Sequence, residues 1–100
     1  MGNKINILLL EDNPADAGLV QRALKKAAVH CTVHLADSKT SFAKLLKNSS
    51  PDIIVSDHTL PDINSSEALT MSRKIYSGIP FILVTGTVSE EFAAQCIRDG

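Results

Sequence analysis

The sequence has little of what the commonest metal, nucleic-acid and membrane proteins are built from. It carries two cysteines, Cys31 and Cys96, each inside an apolar pattern and neither in a CxxC or Cys/His cluster. That excludes a structural zinc site and reads as two buried, reduced thiols rather than a disulfide framework. Ten basic residues stand against eleven acidic ones, a formal net charge of -1, so the basic excess that nucleic-acid binding demands is missing. The opening apolar run covers only about six positions, far short of the ~20 that cross a membrane. No signal peptide is visible, and the expectation is a soluble, cytoplasmic chain. The glycines, Gly2, Gly18, Gly78, Gly86 and Gly100, never fall into GxGxxG or GxxxxGK, which counts against a nucleotide-binding domain. His30, His34 and His58 show no metal-ligand spacing and read as surface or edge residues. Internal repeats, low-complexity stretches and linkers are absent as well.

What is present is an alternation of strand and helix signals in 100 residues, 44% of them hydrophobic, enough for one domain with a core. The run Ile5 to Leu10 is almost continuously apolar, as expected of a strand covered on both faces. It ends in Glu11-Asp12-Asn13-Pro14, where Asn13 suits an N-cap and Pro14 the first helical position. Ala17, Val20, Ala23, Leu24 and Ala27 then recur at helical spacing, with Gln21, Arg22, Lys25 and Lys26 facing out. Cys31, Val33 and Leu35 alternate with Thr32 and His34, which suggests a half-exposed edge strand. A short helix turns Phe42, Leu45 and Leu46 inward and its lysines outward. Pro51-Asp52 introduces a third strand, Ile53 to Ser56. Asn64 to Glu67 resembles a capping box, opening a helix through Leu69, Met71, Ile75 and Tyr76 that stops at Gly78. A fourth strand, Ile79 to Val84, leads into a fourth helix carrying Phe92, Ala93, Cys96 and Ile97.

Four strand–helix units in alternation imply an α/β fold, a doubly wound parallel sheet with helices on both faces. The fourth strand is apolar at every position except Pro80 and is expected inside the sheet. A fifth strand and helix are therefore expected beyond residue 100.

In such a sheet, ligands bind beyond the carboxyl ends of the strands, where the strand order reverses. Glu11 and Asp12 follow the first strand, Asp57 the third and Thr85 the fourth. Taken singly, these are ordinary helix-preceding and turn residues. Their common placement at one sheet edge is what singles them out. Clustered carboxylates repel one another, and a divalent cation removes that cost. An all-oxygen, carboxylate-rich set suits Mg²⁺ or Mn²⁺. A metal there also neutralises an incoming phosphoryl group, so that Asp57 could attack it in line while the Thr85 hydroxyl hydrogen-bonds a phosphoryl oxygen. Tyr76 is read as packing at a helix end.

Three stretches, ILLLEDNPAD (7–16), DIIVSDHTLPDINSSEAL (52–69) and PFILVTGTVSEEFAAQCIRDG (80–100), together resemble the receiver domains of two-component response regulators, which have a CheY-like, flavodoxin-type fold. The resemblance spans nearly the whole chain. It implies that Asp57 is the phosphoacceptor for a histidine kinase or phosphotransfer protein and Asp12 the direct acidic metal ligand. It further implies that Glu11 acts through water, that the Thr59 backbone carbonyl completes the protein's share of the metal shell, and that Thr85 is the switch hydroxyl. Thr59 and Thr87 resemble the positions that tune phosphate lifetime. Ser65 departs from the family's usual glycine, and the family's active-site lysine and strand-5 aromatic would lie beyond residue 100. Two other readings stand beside this one. An aspartate-nucleophile phosphohydrolase would carry a second Asp two places after the first-strand Asp, where this chain has Pro14. A pseudo-receiver interaction module would keep the fold without the phosphorylation.

Overall fold

The computed structural model describes residues 4–57 and 62–84. In chain order these form β1 (Ile5–Leu10), α1 (Pro14–Lys26), β2 (Cys31–Ala36), α2 (Lys39–Asn48), β3 (Ile53–Asp57), α3 (Ser65–Ile75) and β4 (Phe81–Val84). The strands make one parallel sheet in the order β2-β1-β3-β4, and the doubly wound α/β expectation is met. After β1 the chain steps outward to β2. It then returns across β1 to β3, so the order reverses between β1 and β3.

Two faces follow from the strand period of two. Ile7, Leu9 and Val55 point to one side and pack against Ala17, Val20, Ala23 and Leu24 of α1. Leu8, Leu10 and Ile54 point to the other and meet Phe42 and Leu46 of α2, Ile63, and Ala68 of α3. Since β1 is buried on both sides, every residue from Ile7 to Leu10 is at most 1% exposed. That double burial is why its sequence is a continuous apolar run rather than an alternation.

The helix starts follow local chemistry. Asn13 Oδ1 accepts from the Ala15 and Asp16 N–H groups with Pro14 at the first helical position. Asn64 Oδ1 accepts from Glu67 N–H at 2.8 Å. Ser38 and Ser41 form a reciprocal box at the start of α2, each accepting from the other's N–H at 3.1 Å. That box escapes the usual search because its second member is serine rather than Glu or Gln.

Several boundaries and faces depart from expectation. α3 ends at Ile75, because Tyr76 is extended (φ -132, ψ 102) and its hydroxyl donates to Leu46 O at 2.7 Å. That tertiary bond, rather than Gly78, closes the helix, and Tyr76 does pack at a helix end. The inner stripe of α3 is Ala68 and Ser72 with half-buried Leu69 and Met71, while Ile75 is 43% exposed. Glu67 does not complete a capping box in return; its carboxylate pairs with Lys39 across the helix layer. Strand β4 begins at Phe81, two residues later than expected. Pro80 has no N–H to give the ladder, and its carbonyl only receives Ile54 N–H. β2 lies at the sheet edge as its alternation predicts, although Leu35 is 43% exposed there. An edge strand has no neighbour to cover its outer flank.

β4 pairs with β3 alone among the described residues, and its four side chains are all half-buried, whereas its apolar run predicts an interior place. The predicted fourth helix, with Cys96, lies outside the described residues, as do Thr59, Thr85, Thr87 and His58. Cys31 is a free, half-buried thiol. His30 is exposed and His34 sits half-buried on the edge strand. No helix among the described residues is long and apolar enough to cross a membrane.

Candidate functional site

Glu11, Asp12 and Asp57 meet at the carboxyl edge of the sheet, beside the β1/β3 reversal. Leu10 lies opposite Ser56 in the β1–β3 register, so continuing both strands by one residue brings Glu11 level with Asp57. Each of the three acids offers a carboxylate oxygen within 4.8 Å of the others. These three are the described residues among the five expected at the site, and they come together.

Their surroundings differ. Glu11 is only 7% exposed. Its backbone N–H donates to Ala36 O at 2.9 Å, continuing the β1–β2 ladder. Its Oε1 accepts from Asn13 N–H at 3.0 Å, so the side chain is held at the mouth of α1. Asp12 is exposed, and Asp57, the last residue of β3, is half-buried. Asp57 can therefore be reached from solvent while its backbone remains in the sheet. Ser56, fully buried beside it, satisfies its hydroxyl by donating to Asp57 O at 2.8 Å.

Burial pushes the Glu11 carboxyl up from its ordinary 4.5 to about 7, and the charges of Asp57, Asp16 and Asp12 push the same way. The Asn13 N–H opposes the shift without cancelling it. A site that strains to hold its negative charge in this way suits a cation.

The donor set fits a small divalent ion. Opposite oxygens around Mg²⁺ are about 4.2 Å apart, twice its metal–oxygen distance. Neighbouring oxygens on the same octahedron are only about 3 Å apart, so carboxylates within 4.8 Å of one another share an ion by drawing in around it, or with a water in place of one direct bond. Carboxylate oxygens without nitrogen or sulfur select Mg²⁺ or Mn²⁺ over zinc or copper. Sequence reasoning assigned Glu11 to water-mediated contact, and its burial and its bond to Asn13 are compatible with that place.

Contacts absent from the sequence reading lie nearby on the α2/α3 side. Asp62 accepts from the Lys39 backbone N–H, and Lys39 Nζ donates to Glu67 Oε2. Lys39 is thus more than one of the outward lysines of α2. No spacing rule links residues 23 or 28 positions apart, so the sequence held no signal for these bonds.

Comparison with known proteins agrees with this fold. The chain matches the model of the response regulator receiver domain over residues 7–100. The methanogenesis regulatory protein FilR1 of Methanothrix harundinacea is 29% identical over 98 residues, 95% of this chain and 22% of that protein. The sensor kinase CckA of Brucella abortus is 30% identical over 101 residues, 99% of this chain and 10% of that protein. This chain thus spans well under a quarter of either relative. Among solved structures, a response regulator from Hahella chejuensis is 30% identical with a TM-score of 0.73, covering 98% of this chain and 75% of that one. The non-phosphorylated HemR receiver domain from Leptospira biflexa is 26% identical with a TM-score of 0.68, covering 80% and 63%.

Proposed function

Because the chain belongs to the response regulator receiver domain family of two-component signalling, we propose that Asp57 is its phosphoacceptor and that Glu11, Asp12 and Asp57 hold Mg²⁺ or Mn²⁺. The observation that carries this reading is the convergence of the three carboxylates within 4.8 Å at the strand-order reversal. The chain is in this reading a signalling domain, modified by a partner, rather than a classical enzyme.

An Asp57 carboxylate oxygen attacks phosphorus, forming an O–P bond as the P–N bond to the donor's phosphohistidine breaks. The imidazole leaves with the bonding electron pair and is protonated by solvent; the product is an acyl phosphate on Asp57. Half-burial leaves Asp57 open to a donor approaching along the sheet edge. The bound cation would supply neutralisation of the phosphoryl charge. Glu11, held by Asn13, and Asp12 orient the acidic face against which the phosphoryl group arrives. The Thr59 carbonyl as a further metal ligand beside the carboxylates, and the Thr85 hydroxyl as donor to a phosphoryl oxygen, complete the proposal by family resemblance. Partners follow the same resemblance: a sensor histidine kinase or phosphotransfer protein upstream.

The test is phosphorylation from acetyl phosphate with Mg²⁺, wild type against Asp57→Asn, read by intact mass. Wild type should take up one phosphoryl group and the variant none. Equal labelling of the two would remove Asp57 from the role.

A further inference from the structure

The strand that ends in Asp57 is tied to a helix that contributes nothing to the acidic site. Asp62 stands five residues after Asp57 in the sequence. Both its carboxylate oxygens accept from the Lys39 backbone N–H, at 3.2 and 3.1 Å. Lys39 is the first residue of α2, so this amide is one of the donors that a helix start leaves without an intrahelical partner. A carboxylate at that end also complements the helix dipole. The Ser38 hydroxyl takes the Ser41 N–H, so the two acceptors divide the first turn between them. In the opposite direction, Lys39 Nζ donates to Glu67 Oε2 at 3.2 Å, and Glu67 lies in the first turn of α3.

The result is a clasp of two crossed contacts at the site end of the α2/α3 layer. It is not what packs α2: Phe42 and Leu46 are fully buried and anchor the helix independently, and the Ser38–Ser41 box closes by itself. Asp62 and Lys39 are both exposed, and the paired Lys39 and Glu67 side chains are 52% and 44% exposed, so both contacts are solvent-screened and weak. A weak contact outside the core, joined by a short covalent path to the modified residue, can open without unfolding anything.

We propose that this clasp makes the first turn of α2 a reporter of Asp57: phosphorylation releases Asp62 from the Lys39 amide. The inference rests on the phosphoacceptor reading above. A phosphoryl group raises the negative charge on the segment that carries Asp62, and like charge on one short segment disfavours holding both groups in place. Coupling between two equilibria is reciprocal, so a protein whose clasp is already open binds a phosphoryl analogue such as beryllofluoride more tightly at Asp57.

Three variants separate the contacts. Asp62→Ala removes the acceptor. Lys39→Pro removes the amide, at a position where proline is well tolerated and after a residue, Ser38, that is already extended (φ -153, ψ 167) as proline requires. Lys39→Ala keeps the amide and loses only the Glu67 pair. The full chain is treated with acetyl phosphate and Mg²⁺, its phosphoryl content measured by intact mass, and Lys39 amide exchange followed by NMR. In phosphorylated wild type, Lys39 exchange should rise about two- to fivefold, the range a screened surface contact allows. Asp62→Ala should exchange at the faster rate with or without phosphodonor. Beryllofluoride affinity in the presence of Mg²⁺ should tighten together in Asp62→Ala and Lys39→Pro, by about the same two- to fivefold, and stay at the wild-type value in Lys39→Ala. Labelled wild type with unchanged Lys39 exchange, or wild-type beryllofluoride affinity in both clasp-opening variants, would overturn the clasp and leave Asp57 standing. An unlabelled wild type would overturn the phosphoacceptor reading and the clasp with it.

Discussion

Glu11 and Asp12 are neighbours in the chain but occupy different media. Glu11 closes the β1–β2 ladder and is buried; Asp12 lies one step beyond the sheet, in water. The consequence can be measured on metal-free protein. The Glu11 carboxyl titrates near 7 in the fold against an ordinary 4.5. A raised folded value means that its stabilising contribution is complete below about 4.5 and is lost as pH climbs to about 7. At about 1.4 kcal/mol per pH unit the loss approaches ~3.5 kcal/mol. Glu11→Gln keeps the oxygen that accepts from Asn13 and has no charge to bury. In urea titrations without metal, the variant should gain on wild type progressively between those two pH values, then hold its lead. A constant difference across the range would contradict the burial of this acid. Asp12→Ala, by contrast, should leave metal-free stability within about 0.5 kcal/mol of wild type, as exposed sites do, yet weaken Mg²⁺ binding strongly in a titration.

At the scale of elements, helix termini and buried stripes decide where each segment ends and what it covers. Helix α1 finishes in a paired motif, with Val29 N–H on Leu24 O and Ala28 N–H on Lys25 O. This puts Ala28 at φ 60, a left-handed conformation that favours glycine. Ala28→Gly should raise the unfolding free energy from urea titration by about 0.5–1 kcal/mol once the greater freedom of unfolded glycine is subtracted. On the other face, Phe42 is fully buried between α2 and the sheet. Phe42→Ala should cost about 3–5 kcal/mol, measured the same way. Element identity was largely legible in the chain, because buried β1 and the stripe of α1 impose clear periods. What was not legible came from tertiary bonds. The Tyr76 hydroxyl reaches Leu46 and ends α3 early, and the Asp62–Lys39–Glu67 contacts join segments that no local pattern connects. The faces of Leu35 and Ile75 were misjudged for a related reason. A period identifies an apolar residue, but only the neighbouring elements determine whether anything covers it.

For the molecule as a whole, the acidic site exists only because parallel strand order sets β1 beside β3. The gathering of Glu11, Asp12 and Asp57 was legible as a set, since each follows a strand end and strand ends share one edge. Their separation and the protonation of Glu11 were not, because both depend on burial that only the assembled layers create. If the three acids hold a cation in the fold and the unfolded chain does not, binding adds to global stability by mass action. Mg²⁺ at a hundred times its dissociation constant should add about 2.7 kcal/mol. Chelator should remove that increment from wild type and find nothing to remove in Asp12→Ala. Equal thermal midpoints with and without Mg²⁺ in wild type would rule out a bound cation.

The position of β1 in the middle of the sheet also sets an order of assembly. β1, α1 and β2 lie within the first 36 residues, and the parallel β1–β2 pair closes through a single helical crossover. β3 must close a longer loop to reach the far side of β1, at a higher entropic cost. Asp57 therefore meets Glu11 and Asp12 only at that later step, and the mutual repulsion of the three acids falls on it alone. A newly made chain can thus seat its first half before the charged edge exists. A divalent cation held by the three acids would then assist assembly of the second half, and the division of its effect between refolding and unfolding rates would date the seating of β3 relative to the folding barrier.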